Sequence, residues 1–135
     1  MNLDFIEINT ASKPKATIHI TGKLGLNREA VKYMNINEST YFRIALDKDA
    51  KEKKDIFFVT SDKEEAGAIK VSKSGEYFFI NLSTLFDTMK LEYDKYTIAF
   101  DITKDVYEGK DLYILRKRKK DKIRDKTIKE ETHEE

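Results

Sequence analysis

Apolar residues recur along this chain with two different periods. Strict alternation marks strands: in "YFRIAL" (41–46) Phe42, Ile44 and Leu46 point one way and Tyr41, Arg43 and Ala45 the other. In "YTIAF" (96–100) Tyr96, Ile98 and Phe100 take the same inward face. "ATIHITG" (16–22) and "AIKVSKSG" (68–75) are strand-like runs that end in glycine. "DFIEI" (4–8), "DIFFV" (55–59) and "DLYIL" (111–115) each place four residues, apolar apart from Glu7, behind an aspartate. The helical period is seen twice. Leu82, Leu85, Phe86 and Met89 fall at i, i+3, i+4 and i+7, with Asn81 placed as N-cap. Ala30, Val31 and Met34 form a thinner face after Asn27, a second candidate cap.

These elements come in a repeating order. "MNINESTYFRIALD" (34–47) is echoed by "MKLEYDKYTIAFD" (89–101), and around each lie a glycine-ended strand, a two-turn helix, an alternating strand, a charged turn and an apolar strand. The expected repeats are residues 16–60 and 68–115, with an extra N-terminal strand at 3–9. The connectors "KDAKEKKD" (48–55) and "TKDVYEGKD" (103–111) read as hairpin loops, and Pro14 as part of a turn before the strand at 16. Helices this short need sheet to pack on. The prediction is a mainly β fold with two short helices, in which two repeats share one barrel or sandwich core.

Length supports one core and no more, since 135 residues are about one domain. The runs "DIFFV" and "EYFFI" are apolar on both faces, so each strand needs cover twice, from the other repeat or from a second subunit of a homo-oligomer. With 38% charged residues and a mean hydropathy of −0.65, the composition is that of a soluble chain, and no membrane partner is expected. "MNLDFIEINT" lacks an apolar leader core, which makes the cytoplasm the expected location. The absence of cysteine removes disulfides, thiolate metal sites and a cysteine nucleophile.

The net charge of +1 hides an asymmetry. Residues 1–115 carry 17 basic and 19 acidic side chains, whereas 116–135 carry 9 and 6. "RKRKKDKIRDK" (116–126) holds 8 basic and 2 acidic residues, followed by the acidic "EETHEE". Residues 116–135 therefore read as a charged, flexible tail whose basic half can release counterions from a polyanion.

"GKLGLNREAVKYMNI" (22–36) resembles the hallmark segment of the AbrB, MazE and MraZ swapped-hairpin DNA-binding families. Gly22, Lys23, Leu24 and Leu26 fall on the pattern without a gap, and Asn27 stands where those families have proline. "GEYFFINLSTLFDTMKL" (75–91) follows it with one inserted residue, Gly75, Ile80 and Asn81 taking the matching positions. Two tandem copies, together about 95 residues, are most similar to the arrangement in MraZ. The resemblance implies a two-repeat swapped-hairpin β-barrel with pseudo-two-fold symmetry that regulates transcription by contacting double-stranded DNA. Its DNA contacts, carried over by position, would be Lys23, Arg28, Lys32 and Arg43. The second copy departs: Glu76 follows its glycine, and Leu82 and Asp87 stand near the positions of Arg28 and Lys32. The basic segment Arg116, Lys117, Arg118, Lys119 and Lys120 would add a sequence-independent contribution.

Other chemistries find less support in the residues. His19 and His133 are the only histidines, and no serine, histidine and aspartate order suggests a nucleophilic triad. Gly22 and Gly25 form a GxxG without phosphate-loop spacing. No enzyme activity, cofactor, metal or small-molecule substrate is expected. The aromatic residues Phe57, Phe58, Tyr77, Phe78, Phe79 and Tyr113 read either as stacking platforms for single strands or, more simply, as packing between layers. The competing functional reading is an interaction module that keeps the fold without binding DNA, which Glu76 and the acidic body favour.

Overall fold

The structure, a computed structural model, describes residues 1–6, 13–52 and 54–124. Its strands are β1 (Lys15–Ile18), β2 (Lys23–Leu26), β3 (Tyr41–Ala45), β4 (Ile56–Ser61), β5 (Ile69–Lys70), β6 (Ser72–Ser74), β7 (Tyr77–Asn81), β8 (Tyr96–Tyr107), β9 (Lys110–Lys117) and β10 (Lys122–Ile123). Helix α1 (Arg28–Tyr33) lies between β2 and β3, and α2 (Ser83–Thr88) between β7 and β8. The sheet is antiparallel, in the order β5-β3-β4-β9-β8-β1-β2-β7-β6, with β10 added to β8. Its two ends, β5 and β6, are separated only by Val71, whose N–H donates to Thr40 O at 3.0 Å. The sheet is thereby curled into a nearly closed barrel, which leaves little free edge.

Alternation along the strands fills the interior. Ala16 and Ile18 of β1, Leu24 and Leu26 of β2, Phe42 of β3, Ile98, Phe100 and Ile102 of β8, and Tyr113 and Leu115 of β9 all point into the barrel and are buried. Ile44, Leu46 and Tyr96 pack against the same core, so the inward faces expected for 41–46 and 96–100 hold. Phe42 joins Phe58 and Tyr113, with ring centroids 5.4 and 6.2 Å away. Removing a ring of this size from water is worth about 1.5–3 kcal/mol. The helices close the barrel with Ala30 and Phe86, each fully buried.

The two helical segments share a hydrogen-bond frame fifty-five residues apart. Val31 N donates to Asn27 O at 3.0 Å and Phe86 N to Leu82 O at 2.9 Å; Met34 N and Met89 N reach Ala30 O and Leu85 O, both at 2.9 Å. Ile36 N bonds Val31 O at 2.9 Å and Leu91 N bonds Phe86 O at 3.0 Å. At this offset Leu82 corresponds to Asn27, Ser83 to Arg28, and Asp87 to Lys32.

Several expectations are corrected. Asn27 caps α1, its Oδ1 accepting from Ala30 N at 2.8 Å, but the N-cap of α2 is Leu82. Asn81 stays at the end of β7 and bonds Ser83 N at 3.2 Å. Residues 103–111 are not a loop. β8 and β9 continue in register to Tyr107↔Lys110 and turn through Glu108 and Gly109, at φ 50° and 78°, the left-handed pair a two-residue hairpin turn demands. Residues 3–6 of the expected N-terminal strand carry no strand and are exposed, and 7–9 lie outside the described residues. The charged tail does not begin at 116: β9 runs to Lys117, β10 pairs with β8, and Arg124 donates to Tyr93 O at 2.6 Å and Ile18 O at 2.9 Å. Residues 125–135 lie outside the described residues.

Candidate nucleic-acid interface

Each basic residue singled out by sequence has a definite place. Lys23 opens β2 on the outer face, exposed, with Nζ 4.7 Å above the ring centroid of Phe79 on β7. Arg28 and Lys32, one turn apart on α1, are exposed and have no ion-pair partner among the described residues. Four residues of near-extended chain separate Lys23 from Arg28, a path of about 16 Å at the strand rise.

Arg43 does not join them. β3 lies three places from β2 around the barrel, by way of β7 and the β6–β5 segment. Its Nε sits 3.2 Å from Glu65 Oε2, within ion-pair range but not aligned as a hydrogen bond. Glu65 also accepts from Lys110 Nζ at 2.6 Å and from Asp62 N at 3.2 Å. The hydrogen bond from Lys110, followed by that from Asp62 and the charges of Lys110 and Arg43, holds its carboxyl down to about 2. Below this cluster an open groove of about 670 Å³ runs over Phe57, Val59 and Leu112 on the outside of β4 and β9.

The 116–120 segment is divided. Arg116 NH1 lies 3.5 Å from Asp55, Lys117 Nζ 2.9 Å from Asp121, and Arg118 NH2 2.9 Å from Asp101. Lys119 and Lys120 are exposed with no ion pair among the described residues. The acidic residues Glu76 and Asp87 are also placed. Glu76, in the turn before β7, shares a groove of about 300 Å³ with Arg28, Val31, Tyr77 and Phe78. Asp87 accepts from Tyr93 Oη at 2.8 Å. A phosphate approaching Arg28 therefore enters a groove that Glu76 also lines.

One cluster escaped the sequence reading. His19, just after β1, and Tyr77 hydrogen-bond through Nε2 and Oη diagonally across Gly25 of β2, their rings edge to face at 5.6 Å. A Cβ on Gly25 would lie 2.7 Å from His19 Nε2 and collide with the Tyr77 hydroxyl, so this crossing requires glycine. Burial first, then the charges of Arg124 and Lys23, push the His19 imidazole below its usual range. The sequence signal was the pairing of a strand glycine with an aromatic run, but nothing in it announced which partners would meet.

Among the described residues no three histidine, aspartate or glutamate side chains gather as a metal site, and no helix is long and apolar enough to cross a membrane. No family model, curated protein or solved structure matches this chain.

Proposed function

We propose that this protein is a DNA-binding, regulator-like barrel of two swapped-hairpin repeats, related in design to the AbrB, MazE and MraZ families, and that it contacts duplex through its first repeat. The observation that carries the repeat is the sheet order. Exchanging β1 for the β5–β6 segment, β2 for β7, β3 for β8 and β4 for β9 reproduces the same cyclic order of neighbours. The hydrogen-bond frame at fifty-five residues and the symmetric pairings of β2 with β7 and β4 with β9 support the same relation.

Within that frame the two units have different surface charge. Lys23, Arg28 and Lys32 are free to meet phosphate, while Ser83 and Asp87 stand at the helix positions of the second unit and Glu76 follows its glycine. Arg43, Arg116, Lys117 and Arg118 serve the barrel through ion pairs, so the contact set narrows to Lys23, Arg28, Lys32, Lys119 and Lys120. The mechanism is phosphate neutralisation with counterion release, which positions the duplex without requiring a reaction. The second reading, an interaction module without DNA binding, is favoured by Glu76 lining the same groove as Arg28.

Titration of a labelled random duplex at low and moderate salt separates the two. Binding with a negative salt slope, weakened at least tenfold by the double change Lys23→Glu, Arg28→Glu, supports the DNA reading. No binding at low salt, or binding indifferent to that change, favours the interaction module.

A further inference from the structure

The outer face of β1, β2, β7 and β6 has a composition unlike the rest of the barrel. Register fixes which side chains share it: Leu24↔Ile80 and Leu26↔Phe78 point inward, so Thr17, Gly25, Phe79 and Ser72 form one outward row across four strands. Three of these four are small; Phe79 is half-buried, with Lys23 over its ring and the His19–Tyr77 pair crossing Gly25 beside it. Tyr77, two residues away on the same strand and 42% exposed, lies about 7 Å along from it. Lys15 and Lys23 are outward cations on the flanking positions, and no carboxylate occupies an outward position of these four strands. Carboxylates border the face: Glu76 lies in the adjoining turn, Glu38 pairs with Lys73 of β6 at 3.1 Å, and Asp101 on β8 stands opposite Lys15 and pairs with Arg118 at 2.9 Å.

We infer that this face binds single-stranded nucleic acid, with Phe79 and Tyr77 as stacking platforms for neighbouring unpaired bases and Lys23 and Lys15 as contacts for the phosphates between them. Base–aromatic stacking tolerates any sequence, because every base has a π face. Lys23 lies over Phe79 in the unbound protein and is long enough to move onto a phosphate, handing the ring face to a base. The hydrogen bond between His19 and Tyr77 holds the ring across Gly25, and ordering it beforehand lowers the entropy lost on binding. The surface adjoins the groove that Tyr77 shares with Arg28, has Lys23 in common with the duplex contacts, and does not require that duplex be bound.

Anisotropy titrations of the full chain with labelled dT15, rU15 and a duplex of similar length test it. Either single strand should bind at low salt, and Phe79→Ala and Tyr77→Ala should each weaken that binding at least fivefold with unchanged circular dichroism. Where Phe79→Ala unfolds the protein, Phe79→Trp reports directly, its indole fluorescence being quenched by a stacked base. No binding of either single strand, binding unaffected by both alanine changes, or indole fluorescence of the Phe79→Trp variant that stays unquenched at saturation would overturn the inference. Single-strand binding without duplex binding leaves this inference standing and removes the duplex proposal; duplex binding alone does the reverse.

Discussion

Asn35 and Lys90 adopt the same left-handed backbone, φ 53° and 59°, each directly after the methionine that ends a helix. Their N–H groups close equivalent bonds, to Lys32 O at 3.2 Å and Asp87 O at 3.0 Å. Glycine is the residue that takes this conformation without a Cβ clash, and asparagine tolerates it better than lysine. Lys90→Gly should therefore stabilise the protein by about 1 kcal/mol, and Asn35→Gly by less. Urea unfolding followed by circular dichroism measures both, and equal effects at the two sites would contradict the ordering.

The two asparagines that looked alike in sequence should behave differently. Asn27 Oδ1 accepts from Ala30 N at 2.8 Å and Lys15 N at 3.0 Å, and its Nδ2 donates to Lys13 O at 2.9 Å. Asn81 makes one weaker contact, to Ser83 N at 3.2 Å. Asn27→Ala is expected to cost about 2 kcal/mol or more, and Asn81→Ala about 0.5 kcal/mol, by the same unfolding assay.

Acid should weaken the barrel partly through Glu65. Its carboxyl titrates near 2 in the fold against 4.5 for an ordinary glutamate, so the folded state binds fewer protons between those values. The stabilisation is complete above pH 4.5 and is lost as pH falls toward 2. Glu65→Gln should flatten stability against pH within that window, and added salt should shrink the difference because the cluster is reached by solvent. An unchanged slope in the variant would assign the acid sensitivity elsewhere.

How far the chain could be read without coordinates depended on whether a segment had one wet face. β3 and the first half of β8 alternate because one face meets the core, and their inward residues were legible. The far half of β8 was not: Val106 and Tyr107 are 64% and 49% exposed, and a hairpin bathed on both faces carries loop-like charge. The docking of Arg124 was equally hidden. Two backbone carbonyls, one from Ile18 and one from Tyr93, receive a single guanidinium, and no periodic pattern encodes that. At the candidate interface, Lys23, Arg28 and Lys32 are exposed. The pairing of Arg43 with Glu65, a residue from a different loop, could not be seen in local sequence.

The most direct measurement is an amide-resolved NMR titration of the full chain with a short random duplex at low salt. The account predicts shift changes concentrated at Lys23, Arg28, Lys32 and their neighbours, with Ser83 and Asp87 unmoved at the matching positions of the second unit. Equal perturbation of both helices, or no perturbation at residues 22–33, would contradict it.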